Sequence, residues 1–167
     1  MKILDPKFKK NKSKYIIQST LAGATLVVIL SLIDSFNQAA IVAAVASTAC
    51  IIFVIPNSNA SMPRRVIGGH LIGIVVGTIC AHILMAPILK DFIVGSNLVF
   101  NVIAAIGVGT SVLLMVMTDT EHPPAAGTAL GLVIPIWSWS MPIFVLVSAC
   151  LLSVIHVVLR PRLRNLL

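Results

Sequence analysis

Residues 118–132 read T-D-T-E-H-P-P-A-A-G-T-A-L-G-L, and most of the groups able to do chemistry are concentrated there. Asp119, Glu121 and His122 stand almost side by side, next to paired prolines and a glycine, inside otherwise apolar sequence. A histidine changes charge near neutral pH, which suits contact with an anion or coupling to a proton. Pro123 and Pro124 suit a helix start, because the missing N–H groups would be unpaired there anyway. His122 then falls at the N-cap, and the helix presents its positive end beside it. Ala126 and Gly127 are small enough to let a ligand approach, and Thr128 adds a hydroxyl. The stretch predicts a small-anion site made of His122, Pro123, Pro124, Ala126, Gly127 and Thr128. Asp119, Glu121 and His122 would gate it or couple it to protons. A plainer expectation stands beside this one: at a membrane edge the two carboxylates are simply solvated around a capped helix.

Three more residues join this list. His70 lies inside a long apolar run, beside a stripe of small residues four apart, Gly69, Gly73, Gly77 and Ala81. Such a stripe lets helix backbones approach closely, so His70 faces other helices, toward a ligand or toward a neighbouring carbonyl. Ser47 and Thr48 sit in a second small-residue segment. His82 and His156 are nearer the ends of their segments, which favours structural roles. No zinc-protease, serine-hydrolase or phosphate-loop motif is present. A metal site from Asp119, Glu121, His122 and His70 would require adjacent chain positions to converge on one ion. The sequence therefore predicts neither an enzyme nor a metal or cofactor.

The elements that must hold these residues are membrane helices. Of 167 residues, 58% are hydrophobic and only 10% are charged, and the mean hydropathy is +1.06. Several charge-free runs reach the roughly 18 residues that mark a membrane span. From His122 to Leu159 there is no Asp, Glu, Lys or Arg; that run must fold back, with Pro135 and Pro142 as the expected breaks. The segments are long, short, long (15–33, 39–55, 66–89), then long, short, long (99–117, 123–136, 141–159). Residues 90–97 form a polar connector, and Trp137 and Trp139 read as an interfacial anchor. The predicted fold is an all-α polytopic membrane helix bundle of six short spans, a 3+3 inverted repeat. Four full spans with two half-helices are the alternative. A basic tail at 1–14, a transmembrane domain at 15–159 and a basic tail at 160–167 complete the organisation. The net charge of +7 flanks the spans, which points to cytoplasmic ends and anionic lipid rather than nucleic acid. With six crossings and both termini cytoplasmic, every basic residue except Lys90 falls inside. Cys50, Cys80 and Cys150 lie in apolar runs and read as buried small residues.

Two motifs resemble those of the HPP family of integral membrane proteins: His122-Pro123-Pro124 with the small residues up to Leu130, and Pro63-Arg64-Arg65-Val66-Ile67-Gly68-Gly69-His70. A third, weaker match spans 43–53. Together they cover about residues 38–159. The chain departs from the family pattern at Ala43 and Ala46, which replace glycines, and at Ala125-Ala126-Gly127, where Gly-Gly-Ala is common. The added methyl groups would narrow a pore. Some plastid and cyanobacterial members are linked to nitrite transport, so the resemblance implies a small-anion carrier or channel.

The function expected is therefore transport of a small anion such as nitrite by a multi-pass protein of the cell membrane. Six short helices leave little bulk to enclose a pathway, which predicts a homo-oligomer. A non-transporting assembly or regulatory subunit is the competing expectation.

Overall fold

The computed structural model describes residues 6–31, 39–89, 98–134 and 138–166. The 90–97 connector, Pro135 and Trp137 lie outside them. Over the described residues the chain is an all-helical membrane bundle of six helices: α1 (Pro6–Ser31), α2 (Ala39–Val54), α3 (Pro63–Leu84), α4 (Leu98–Met117), α5 (Pro123–Leu132) and α6 (Ser140–Leu159). Short 3₁₀ turns stand at Asn59–Ser61 and Pro87–Leu89. Four of the helices, from Asn11, Pro63, Leu98 and Ser140, are long and apolar enough to cross a membrane.

Hydrogen bonds and ion pairs order the six helices end to end. Leu166 N–H donates to the Val54 carbonyl at 2.8 Å, and Gln18 of α1 donates to the carbonyls of Phe53 and Arg164. His156 of α6 donates from Nε2 to the Pro56 carbonyl at 2.8 Å. Arg65 at the start of α3 pairs with Asp119 and Glu121, between α4 and α5. One end of the bundle thus gathers the start of α1, the end of α2, the start of α3, the end of α4, the start of α5 and the end of α6. The chain reverses at every helix. The first three elements run away, back and away from this charged end, and the last three run back, away and back. That is the relation an inverted repeat requires.

The short elements differ from one another. At 16 residues α2 is about 24 Å long, while α5, at 10 residues, is about 15 Å. The helix expected over 123–136 stops at Leu132, and Val133 leaves helical geometry with ψ 79°. Pro135 bars any continuation to 136, since a proline disfavours helical backbone at the residue before it, Ile134. At the other expected break, Pro142 lies in the first turn of α6, which begins at Ser140, one residue before the expected span; no N–H is needed there. The long helix α1 begins at Pro6, upstream of the expected span, with non-helical backbone at Asn11. In the tail at 160–167, Leu163 and Leu166 are buried.

The stripe on α3 faces α5. An added Cβ at Gly69 would lie 2.8 Å from His122 Cβ, at Gly73 2.5 Å from the Ala125 carbonyl oxygen, and at Gly77 2.7 Å from that of Ala129. Backbones this close leave no space for a side chain. The opposite face of α3 carries Leu71, Val75 and Ile79, all exposed, as a lipid-facing surface requires. On its other side α5 meets α2, where Gly127 packs over Ala44 and Gly131 over Ile41. The half-length helix is therefore wedged between two small-residue surfaces. Cys80 is buried against Gly107 of α4, whereas Cys50 and Cys150 are exposed, contrary to the burial expected of them.

Candidate functional site

The wedge brings His70, Thr48, His122 and Thr128 together, each at most 1% exposed. Thr48 lies six residues before the end of α2 and His70 seven after the start of α3. The cluster thus sits about 10 Å below the charged end, at 1.5 Å per residue. The ring centroids of His70 and His122 are 5.1 Å apart. Thr48 Oγ1 is 2.9 Å from Nε2 of each histidine. His70 Nδ1 is 2.8 Å from Thr128 Oγ1, and His122 Nδ1 is 2.7 Å from the Ala60 carbonyl oxygen.

These partners fix where the protons sit. A carbonyl only accepts, so His122 Nδ1 carries hydrogen and donates to Ala60. In a neutral His122, Nε2 is then a bare lone pair that takes the Thr48 hydroxyl proton. The Thr48 oxygen is left to accept, so His70 donates from Nε2. His70 Nδ1 in turn accepts from Thr128. The result is one directional chain from Thr128 through His70, Thr48 and His122 to Ala60. Each donor in it meets an acceptor, as buried polar groups require.

The helix start itself offers few donors. His122 is the N-cap of α5, with extended backbone and no side-chain capping bond. Pro123 and Pro124 have no N–H, and the Ala125 N–H bonds the His122 carbonyl at 2.8 Å. The positive end of α5 therefore offers few free donors to an anion. Pro124 is buried and Pro123 exposed. Ser47 faces outward and bonds its own helix at Ala43.

Two cavities lie against α5. A groove of about 560 Å³ between α2 and α5 is lined by Ala43, Ser47, Cys50, Pro123, Gly127 and Leu130 among others. A smaller cavity of about 220 Å³ has Glu121, His122, Pro123 and Ala126 on one wall and Val112 and Met115 of α4 on the other. Both spaces are almost wholly apolar, and of the four cluster residues only His122 lines either, at the smaller one.

Asp119 and Glu121 do not join the histidines. Both pair with Arg65, and Arg64 reaches Asp119 at 3.5 Å and the Thr118 carbonyl at 3.2 Å. Asp119 has a φ of 54°, where α4 ends with Thr120 N–H bonding the Met115 carbonyl at 2.9 Å. That is a left-handed helix termination that usually takes glycine. Here the aspartate brings its carboxylate to Arg65.

Three participants were missed from the sequence. The Ala60 carbonyl gives no side-chain signal. Arg65 was read for topology and as part of the 63–70 motif, although its opposite charge to the acidic pair was visible. Gln18 was passed over inside the apolar span 15–33. His156 is buried, and its bond to Pro56 fits the structural role expected of it; the exposed His82 bonds its own helix at Thr78.

A family model described as HPP, transmembrane region, matches residues 8–165. A protein of Dictyostelium discoideum named only as a transmembrane protein is 32% identical over 115 residues. The match covers 66% of this chain and 37% of that relative, so the chain spans little more than a third of the relative's length. No solved structure matches.

Proposed function

This chain belongs to the HPP family of transmembrane proteins, and from that premise we propose that it carries a small inorganic anion, nitrite or one like it, across the cell membrane. The observation that carries this reading is the buried chain of two imidazoles and two threonine hydroxyls beside a small cavity. Titratable groups held inside a membrane bundle are costly and are kept for substrate or proton pathways. Among the described residues no Lys or Arg side chain bonds to the cluster, which suits an anion that must leave as readily as it enters. Arg64–Arg65, the basic tail at 160–167 and the start of α1 share one end, so we place both termini in the cytoplasm. We also propose a homo-oligomer, with translocation rather than chemical conversion as the activity.

The test is uptake by liposomes containing the purified protein, with nitrite, nitrate, formate and chloride each presented outside. Saturable uptake of one or more, absent from protein-free liposomes, is expected. Uptake of none, by protein that is folded and correctly inserted, would sink the transport reading in favour of an assembly or regulatory subunit.

A further inference from the structure

We propose that an anion occupies the His122 cavity only together with one proton, held on His122, with the Thr48 hydroxyl switching between two acceptors to admit it. This rests on the anion-transport reading and adds what makes the site attractive to an anion.

Donor counting leads here. In the neutral chain every N–H and O–H of the four side chains already has an acceptor. The first turn of α5 adds little, with two prolines and an Ala125 N–H bonded to His122. Arg65 is engaged by Asp119 and Glu121. The neutral cluster thus presents an anion with neither net charge nor a spare donor, and burial without either is strongly unfavourable.

A second proton on His122 changes this, and the structure already holds a place for it. That proton goes to Nε2, which then donates to Thr48 Oγ1, 2.9 Å away. The Thr48 hydroxyl proton must leave this line, and the Ala44 carbonyl, also 2.9 Å from Oγ1, accepts it. Rotation about one C–O bond converts one state into the other, with no heavy atom displaced. His70 keeps its Nε2–H toward Thr48 and stays neutral, because a second positive charge 5.1 Å away is repelled in so buried a place. The stoichiometry is therefore one proton per anion.

Glu121 lines the same cavity as His122, which makes it the group we assign to pass the proton inward. The charged and titratable groups around the cluster are Glu121 and Asp119 ahead of α5, Arg64 and Arg65 on α3, Cys50 on α2 and His156 on α6. The described residues of α4 add none.

Calorimetric titration of the purified protein with sodium nitrite, nitrate and formate, in Tris and in Bis-Tris, gives the number of protons taken up. About one per anion is expected for any anion that binds. Thr48→Val should bring that number close to zero and weaken binding at least tenfold, and Thr48→Ser, which keeps the hydroxyl, should restore both. Binding with no proton taken up overturns this proposal and leaves anion transport standing. Binding of no anion removes both. Nitrogen-15 spectra of the histidines in anion-free protein at neutral pH give a separate check. His122 should be protonated at Nδ1 alone and His70 at Nε2 alone; an imidazolium at either, without anion, overturns the proposal whatever the calorimetry finds.

Discussion

A Cβ placed on Gly73 would stand 2.5 Å from the carbonyl oxygen of Ala125. Real Cβ atoms do not approach an oxygen so closely, so α3 and α5 touch backbone to backbone at the level of the cluster. Gly73→Ala should destabilise the protein by about 1–3 kcal/mol, the usual range for overpacking. Gly73→Leu should abolish folded yield. Thermal melts and size-exclusion profiles in detergent check both. A Gly73→Leu protein that extracts and melts like the parent would mean that the helices can part.

Asp119 supplies a second prediction through its φ of 54°. The left-handed conformation costs a side-chain-bearing residue roughly 1–2 kcal/mol, least for Asp and Asn. Its carboxylate is 60% exposed, where ion pairs are worth about 0–1 kcal/mol. Asp119→Gly should therefore lie within about 1 kcal/mol of the parent, while Asp119→Val should lose stability clearly. Equal melting temperatures for the two variants would show that backbone geometry at this corner is not limiting.

The alternation of the six helices predicts sidedness. In a background with Cys50, Cys80 and Cys150 replaced by alanine, Asn59→Cys and Ser140→Cys should label from opposite faces of the membrane. Asn59 should label from inside, with the basic residues. Labelling of both from one face would contradict six crossings and restore the two half-helices.

Much of this architecture was legible, because its causes lie in composition and spacing. Helix number and the long–short–long order follow from charge-free run lengths, and the four-residue spacing of Gly69, Gly73 and Gly77 announced a close helix contact. What spacing does not give is the partner. That the stripe meets α5, rather than another helix, depends on how the whole bundle closes. The joining of His70 to His122 through Thr48 depends on three helices and on the Ala60 carbonyl, a backbone group that no residue type advertises. The acidic pair shows the same limit: spacing placed Asp119 and Glu121 beside His122 but did not give their partner, Arg65, which lies more than fifty residues earlier and pairs with both. That α5 stops short of 136 was readable in principle from Pro135, which disfavours helix at Ile134; the earlier end at Leu132 was not.

Gln18 yields a stability prediction. Its amide donates to the carbonyls of Phe53 and Arg164, the latter at 3.0 Å, and accepts from Arg164 N–H at 3.1 Å. One side chain on α1 thus ties the C-terminal tail to the end of α2. At about 0.5–1.5 kcal/mol per bond, Gln18→Leu should destabilise by about 2–4 kcal/mol. With these bonds gone, the tail should be cut by trypsin at Arg162 and Arg164 several times faster. Unchanged cleavage would mean that the burial of Leu163 and Leu166 and the remaining bonds to Tyr15, Val54 and Asn57 hold the tail without Gln18.

The last prediction is the pH dependence of transport. If an anion binds with one proton, affinity and proton binding are linked reciprocally. Below saturation, each unit fall in pH should strengthen apparent anion affinity up to about tenfold, and flux at low anion concentration should rise with it. At high concentration the dependence should weaken, because proton release must then accompany anion release. His122→Ala removes the proton's seat and should flatten the profile at a low residual flux. Thr128→Val, which takes away only the far end of the chain, should lower affinity while keeping the slope. The measurement is initial uptake of the transported anion into liposomes between mildly acidic and mildly basic pH, with the internal pH clamped. A parent whose uptake is flat across that range would mean that the anion binds without a proton, while a His122→Ala protein that keeps the parent's slope would place the titrating group outside the cluster, with Glu121 the next residue to replace.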